Sequence, residues 1–287
     1  MNLVSTKTLT ESQTAQVREL EALCRAEEPF ALQLFLSSEL NRDPGMNAFF
    51  LLCEEDLLVG YLTLFAPDPG LAETTALVRP THRRRGYFTR LLAAAKAEAA
   101  AHGVTALLLC HEPVCESGGA VLKKLPLTLD RTEYQLELDK STLPAVPDSP
   151  LTLVPADRSM AAELSRISAA AFGEEYNEES RARTERFLDS ATVSGWAAML
   201  DGRIVGQVSL NTEGGEGYLC GLCIDPALQG RGLGRAMLAM AVHEAAKLGL
   251  PVRLDVDSTN AGAYALYRSS GFREKARCDY WRLNILA

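Results

Sequence analysis

The sequence contains no long apolar run. No stretch reaches the roughly 18 consecutive apolar residues that a membrane-spanning helix needs. Residues 1–13 carry Lys7 and polar side chains instead of the apolar core of a signal peptide. These absences predict a cytoplasmic protein with no membrane partner.

An excess of basic residues is also missing. The chain has 29 Lys and Arg against 37 Asp and Glu, which gives a formal net charge of −8. Because nucleic-acid binding needs a concentrated basic face, we expect no nucleic-acid partner. A cationic small molecule suits this charge balance better.

The cysteines lack the pattern of a disulfide framework. Seven of them are spaced irregularly, which favours reduced thiols. Cys220 and Cys223 form a C-x-x-C, but no second such pair and no nearby His pair accompanies them. We therefore predict no metal site and interpret both as buried strand residues.

The chain repeats itself at a constant offset of 146 residues. This offset carries Gly86 onto Gly232 and Tyr134 onto Tyr280, with turns, a helix and a final strand in the same order. At 287 residues the chain exceeds an ordinary domain of about 100 to 200 residues. Residues 141–150 hold three prolines and predict a linker between domains 1–140 and 151–287.

The second copy has the pattern of a mixed α/β sheet. Asp201-Gly202 predicts a hairpin, and a strand, helix and strand follow it. A crossover helix normally joins parallel strands, so we expect the sheet to be antiparallel at first and parallel in its middle. The predicted strands are 151–155, 196–200, 204–210, 218–224 and 252–256, and the predicted helices are 160–172, 178–188, 233–245 and 261–270.

A glycine-rich loop joins one of these strands to the long helix. Gly230, Gly232 and Gly234 leave backbone N–H groups unobstructed at a helix N-terminus, which is a site for a pyrophosphate. The dinucleotide pattern G-x-G-x-x-G fails, because its last position falls on Arg235 or Met237. A nicotinamide enzyme is thus disfavoured.

The loop resembles a signature of the GNAT superfamily of N-acetyltransferases. That signature is a Gln or Arg, two residues, Gly, one residue, then Gly or Ala, here Gln229, Gly232 and Gly234. The second signature of the family is present as Asn260 and Tyr267, followed by Gly271-Phe272. The resemblance covers residues 151–285 and implies two tandem acyl-CoA N-acyltransferase domains.

The resemblance implies acetyl-CoA as co-substrate and direct attack by a primary amine of a small molecule in a ternary complex. Tyr267 would be the general acid for the leaving thiolate, because a tyrosine with a pKa of about 10 is protonated at neutral pH. A β-bulge near Gly221 would open the sheet, and a backbone N–H near Cys223 would stabilise the oxyanion. The residues expected to hold CoA are Leu222, Cys223, Ile224, Gln229, Gly230, Arg231, Gly232, Leu233, Gly234, Arg235 and Asn260.

The sequence defines the general base less clearly than it defines the general acid. Glu216 is the candidate, and Glu213 is an alternative, but their glycine-rich segment also resembles a solvated turn. Asp225 is interpreted as a turn or helix-end residue.

The first copy carries altered motifs. Phe88 stands where Gly or Ala is usual, and Leu122, which cannot donate a proton, stands at the position of Tyr267 after a one-residue slip. Tandem family members such as the mycothiol synthases combine one active and one degenerate half. We therefore expect no acyl transfer here, with a possible second CoA site at Val78, Arg83, Arg84, Arg85 and Gly86.

The acceptor side is predicted from an acidic segment, residues 173–180. Glu174 and Glu175 would attract a cationic amine, such as a polyamine or an amino sugar, although a solvated loop has the same composition. A non-catalytic acyl-CoA-binding or regulatory module is the alternative function, and the intact Tyr267 argues against it. The acceptor and the oligomeric state stay open at this point.

Overall fold

The computed structural model describes residues 1–32, 34–139 and 143–285, so residues 141 and 142 of the predicted linker lie outside it. The chain forms two compact units. Unit 1 comprises Met1–Thr132 and Ala276–Ala287, and unit 2 comprises Glu133–Lys275. Within the described ranges, no helix combines the length and apolarity that a membrane crossing requires.

Unit 1 contains a mixed sheet. Its order is β1-β2-β3-β4-β5-β12, with β4 and β5 parallel and the other neighbours antiparallel. The elements are β1 (Asn2–Thr6), α1 (Glu11–Glu27), β2 (Phe49–Glu54), β3 (Leu57–Phe65), β4 (Leu71–Val78), α2 (Tyr87–Ala101), β5 (Ala106–His111), α3 (Glu116–Leu122), the start of β6 (Thr128–Leu138) and most of β12 (Phe272–Asn284).

Unit 2 repeats this plan. Its order is β7-β8-β9-β10-β11-β6, with β10 and β11 parallel and the other neighbours antiparallel. The elements are β7 (Thr152–Pro155), α4 (Ala161–Phe172), α5 (Glu178–Asp189), β8 (Val193–Leu200), β9 (Arg203–Asn211), β10 (Gly217–Ile224), α6 (Leu233–Ala246), β11 (Val252–Asp257) and α7 (Ala261–Ser269), with the end of β6. The mixed sheet is confirmed, and the predicted ends differ by at most three residues.

The unit boundaries differ from the predicted domains 1–140 and 151–287. Residues 133–137 of β6, the last strand of the first copy, pair with β11 in unit 2. Residues 279–284 of β12, the last strand of the second copy, pair with β5 in unit 1. Each copy therefore contributes its final strand to the other unit, which a boundary drawn at the prolines does not anticipate.

Strand β11 separates the core from the functional face of unit 2. Val252, Leu254 and Val256 are at most 5% exposed and belong to the same core cluster as α6. Because side chains alternate along a strand, Arg253 and Asp255 face the opposite side of the sheet. That side carries the polar groups described below.

Candidate active site

The sheet of unit 2 opens between its two parallel strands. Strand β10 pairs with β11 only at Gly217–Val252 and Tyr218–Arg253, although both strands continue beyond these pairs. Residues 219–224 of β10 form no backbone pairs with β11. This opening gives an extended ligand access to backbone groups of β10.

A β-bulge lies at the same place. The register of β10 against β9 shifts between Cys220 and Cys223, and Gly221 has a φ of 63°. An extra residue bends the strand, and the left-handed conformation favours glycine. The predicted bulge near Gly221 is confirmed.

The glycine loop ends in an uncapped helix. Gly232 precedes α6 with a φ of 79°, and no side chain caps the first turn. A Cβ placed at Gly230 or Gly232 would meet nothing within 4 Å, so the space in front of the loop is open. The Nε2 group of Gln229 donates to the Ile224 carbonyl at 3.0 Å and ties the loop to β10. Unobstructed N–H groups at a helix N-terminus fit a pyrophosphate.

The second signature places Tyr267 near the bulge. Asn260 accepts a hydrogen bond from the Ala263 N–H at 3.0 Å and so caps α7. Tyr267, at 7% exposure, has its ring 6.1 Å from the ring of Phe272. Burial, followed by the neighbouring Cys223, raises the pKa of Tyr267 to about 12. Tyr267 is therefore protonated at neutral pH and available as an acid.

The predicted base Glu216 is ion-paired. Its carboxylate lies 2.7 Å from Nη1 of Arg253, whose Nη2 lies 2.9 Å from Glu137. The Arg253 guanidinium therefore occupies part of the Glu216 carboxylate. Glu213 lies in a short 3₁₀ turn, where its N–H donates to Asn211.

A second carboxylate borders the opening. Asp255 of β11 accepts a hydrogen bond from the Tyr218 hydroxyl at 3.3 Å. Continuing the parallel register places Asp255 opposite Cys220, where the two strands diverge. In sequence Asp255 shows only the alternation of a strand, which gives no sign of a catalytic role. Asp225 caps the following 3₁₀ turn by accepting from the Ala227 N–H at 3.0 Å, as expected.

The strand cysteines are protonated thiols. Burial raises the pKa of both Cys220 and Cys223 to about 12, so neither is a thiolate at neutral pH. In the part of the chain that the structure describes, no three His, Cys, Asp or Glu side chains group in a way that could hold a metal ion.

The first copy retains the shape of the phosphate loop. Gly86 has a φ of 81°, against 79° for Gly232. Arg83 donates from Nε to the Val78 carbonyl at 3.3 Å, as Gln229 does to Ile224. A cavity of about 910 Å³ in unit 1 is lined by Val78, Arg83, Arg84, Gly86 and Phe88, among others.

The first copy differs at the bulge and at the acid. Strand β4 runs beside β3 from Glu73 to Val78 without a shift in register, and Thr75 stands where the second copy has Gly221. Leu122 ends α3 and packs on the core of unit 1. The first copy therefore has the loop without the bulge, and a leucine at the position of Tyr267.

The acidic segment predicted at the acceptor side connects α4 to α5. Glu174 forms an ion pair with Arg183, while Glu178 and Glu179 lie in the first turn of α5. Of the two predicted acceptor residues, Glu174 thus already has a cationic partner.

Sequence comparison identifies relatives over most of the chain. Residues 14–116 and 161–272 both match the acetyltransferase (GNAT) family. A mycothiol acetyltransferase of Mycolicibacterium smegmatis is 32% identical over 262 residues, which covers 82% of each protein. Another, from Thermomonospora curvata, is 32% identical over 296 residues and covers 96% of this chain and 95% of the relative.

Solved structures share the tandem fold. A tandem GNAT protein from the clavulanic acid biosynthesis pathway is 18% identical, with a TM-score of 0.75 over 100% of this chain and 99% of that protein. A GCN5-related N-acetyltransferase from Sphaerobacter thermophilus is 17% identical, with a TM-score of 0.73 over 99% of this chain and 96% of that protein. The chain therefore belongs to the acetyltransferase (GNAT) family and is an acyl-CoA-dependent N-acetyltransferase that acts on an amine of a small molecule.

Proposed function

We propose that the second copy alone carries out acetyl transfer, with Tyr267 as its general acid. The observation that carries this assignment is a buried, protonated Tyr267 beside Cys223, at the bulge that opens β10. The N–H groups of residues 229–235 hold the pyrophosphate of acetyl-CoA, and its pantetheine arm lies along Leu222, Cys223 and Ile224. Asn260 supports this arrangement by fixing the start of α7.

The reaction is a direct attack in the ternary complex. The amine nitrogen bonds to the thioester carbonyl carbon, the C–S bond breaks, and the CoA thiolate takes the proton of Tyr267. A backbone N–H near Cys223 stabilises the oxyanion, since a fixed dipole in a closed site needs no reorganisation. The amine loses its own proton to a carboxylate.

That carboxylate is Asp255 in this proposal, with Glu216 as the second candidate. Asp255 lies where β10 and β11 diverge and accepts from the Tyr218 hydroxyl, which places its carboxylate at the opening. We expect Asp255→Asn to lower kcat by about 10². The matched change Glu216→Gln should leave kcat nearly unchanged. The pH dependence of kcat/KM, measured for both variants, decides between them: a large loss in Glu216→Gln alone would return the role to Glu216.

The acceptor proposed is the amine that mycothiol acetyltransferases acetylate, because relatives with that name align over most of this chain. The test is turnover with unacetylated mycothiol, a polyamine and an amino sugar in parallel. Because the proposed acceptor is itself a thiol, loss of the acetyl-CoA thioester or product mass must be followed instead of free thiol. Faster turnover of the polyamine or the amino sugar would overturn this choice of acceptor.

Glu174 and Glu175 are proposed to attract the amine electrostatically. Replacing both by Gln should raise KM for the amine roughly threefold to tenfold at low salt, with kcat and KM for acetyl-CoA unchanged. The effect should shrink as ionic strength rises. Glu244→Gln on α6, which removes another partly exposed, ion-paired carboxylate, is the matched control. An unchanged amine KM at low salt would show that Glu174 and Glu175 belong to a surface loop with no role in amine binding.

The first copy is proposed to hold a ligand without transferring an acyl group. Its loop geometry and its cavity support binding at Val78, Arg83 to Arg85 and Gly86, and Arg85 adds charge at the loop. Leu122 offers no proton to a leaving thiolate. This division of roles makes unit 2 the site of chemistry.

A further inference from the structure

Unit 2 contains a basic pocket beside the proposed CoA loop, from which only Arg235 contributes to its lining. It has a volume of about 390 Å³ and lies beside the first turns of α6. Its charged lining residues are Arg235, Arg268 and Arg273, and none of the described residues that line it is acidic. Leu143 and Ala239 contribute an apolar wall.

Hydrogen bonds hold these arginines close together. Arg268 and Arg273 both donate from Nη1 to the Phe272 carbonyl oxygen, at 3.3 and 3.4 Å. Arg235 donates from Nη2 to the Ser269 hydroxyl at 3.0 Å. Two guanidinium groups therefore lie beside one acceptor, and the third, from α6, is bonded to Ser269, the residue after Arg268.

Among the described residues, none of the three has a carboxylate within ion-pair distance. Acidic side chains outnumber basic ones in this chain, 37 to 29, and its other arginines commonly pair with them. Like charges held together repel one another, and an anion between them would relieve that repulsion. The pocket thus has the electrostatics of an anion site.

Part of the cluster is specific to the second copy. At the offset of 146, Arg235 corresponds to the uncharged Thr89. After the one-residue slip that relates Tyr267 to Leu122, Arg273 corresponds to the uncharged Thr128, while Arg268 corresponds to the basic Lys123. Two of the three arginines are therefore not a requirement of the shared fold.

We infer that this pocket binds a phosphate monoester. Planar guanidinium groups and a hydroxyl match phosphate oxygens, and the apolar wall has room for the group that carries the phosphate. Two sources share this chemistry. One is the 3′-phosphate of acetyl-CoA held by the neighbouring loop, which rests on the proposed function; the other is a separate phosphorylated small molecule.

The test compares CoA with dephospho-CoA, which lacks the 3′-phosphate, by calorimetry on the full chain. If the 3′-phosphate is the ligand, wild type binds CoA roughly tenfold more tightly at the site that depends on Gly232. Arg268→Gln with Arg273→Gln should then abolish this preference without weakening dephospho-CoA. Arg203→Gln, an exposed change at the start of β9, is the matched control and should keep it.

Thermal unfolding with inorganic phosphate tests the second source, a separate phosphorylated small molecule. If wild type binds both CoA forms equally, inorganic phosphate should raise the thermal unfolding midpoint of wild type but not of the double variant. This result would assign the pocket to a separate phosphorylated molecule. Absence of both effects overturns the inference. This phosphate measurement reports on the pocket even if CoA fails to bind, so failure of the proposed function is distinguished. Arg273→Gln alone, at an exposed position, repeats the test should the double variant unfold.

Discussion

Tyr267→Phe is expected to lower kcat by about 10² or more, with the affinity for acetyl-CoA nearly unchanged. The hydroxyl acts on the leaving thiolate and not on binding, so only the chemical step loses stabilisation. Since its pKa is raised to about 12, Tyr267 stays protonated throughout the neutral and mildly alkaline range. Wild-type kcat should therefore show no decline in that range from loss of this proton.

The Tyr267→Phe substitution should change the chemistry without disturbing the fold. Among the described residues, none accepts a hydrogen bond from the Tyr267 hydroxyl, and a phenyl ring keeps the contact with Phe272. The thermal unfolding midpoint should stay close to that of wild type. Unaltered turnover at neutral pH in a folded Tyr267→Phe protein would remove Tyr267 from the mechanism.

Gly232→Asp should reduce CoA affinity in the second copy by more than about 100-fold. The added carboxylate would face the pyrophosphate at the start of α6, and opposed like charges cost several kcal/mol. A Cβ at this position meets nothing within 4 Å, and Asp tolerates a positive φ better than most residues, so the fold should persist. Calorimetry with CoA measures the loss.

Gly86→Asp is the matched control for this effect. Gly86 has a φ of 81° and equally open space, so strain and folding consequences should be the same in both variants. Any CoA binding that Gly86→Asp removes belongs to the first copy. Normal CoA binding in Gly232→Asp would show that the glycine loop does not bind the pyrophosphate and has another role.

Local elements followed from the sequence because local patterns determine them. The alternation in β11, the periodicity of α6 and the Asp201-Gly202 turn each constrain a few neighbouring residues. The destination of β6 and β12 could not be predicted in this way. A strand pattern shows that a segment pairs, but the edge it pairs with depends on contacts far along the chain.

Some residues of the site could likewise be predicted from the sequence, and others could not. The glycine loop followed from its own residues, while the bulge near Gly221 and the placement of Tyr267 followed from the resemblance to the GNAT family that two motifs carry. Asp255 did not, because its place beside the opening depends on where β10 leaves β11. Similarly, Arg235 and Arg273 line one pocket only in the folded chain, and no sequence pattern links them.

The most direct test of the division between the two copies is the acetylation rate of Gly232→Asp beside that of Gly86→Asp, each with saturating amine. We expect loss of acetyl transfer in Gly232→Asp and a rate near wild type in Gly86→Asp. Wild-type acetylation by Gly232→Asp, with loss in Gly86→Asp, would contradict it and place the chemistry in the first copy.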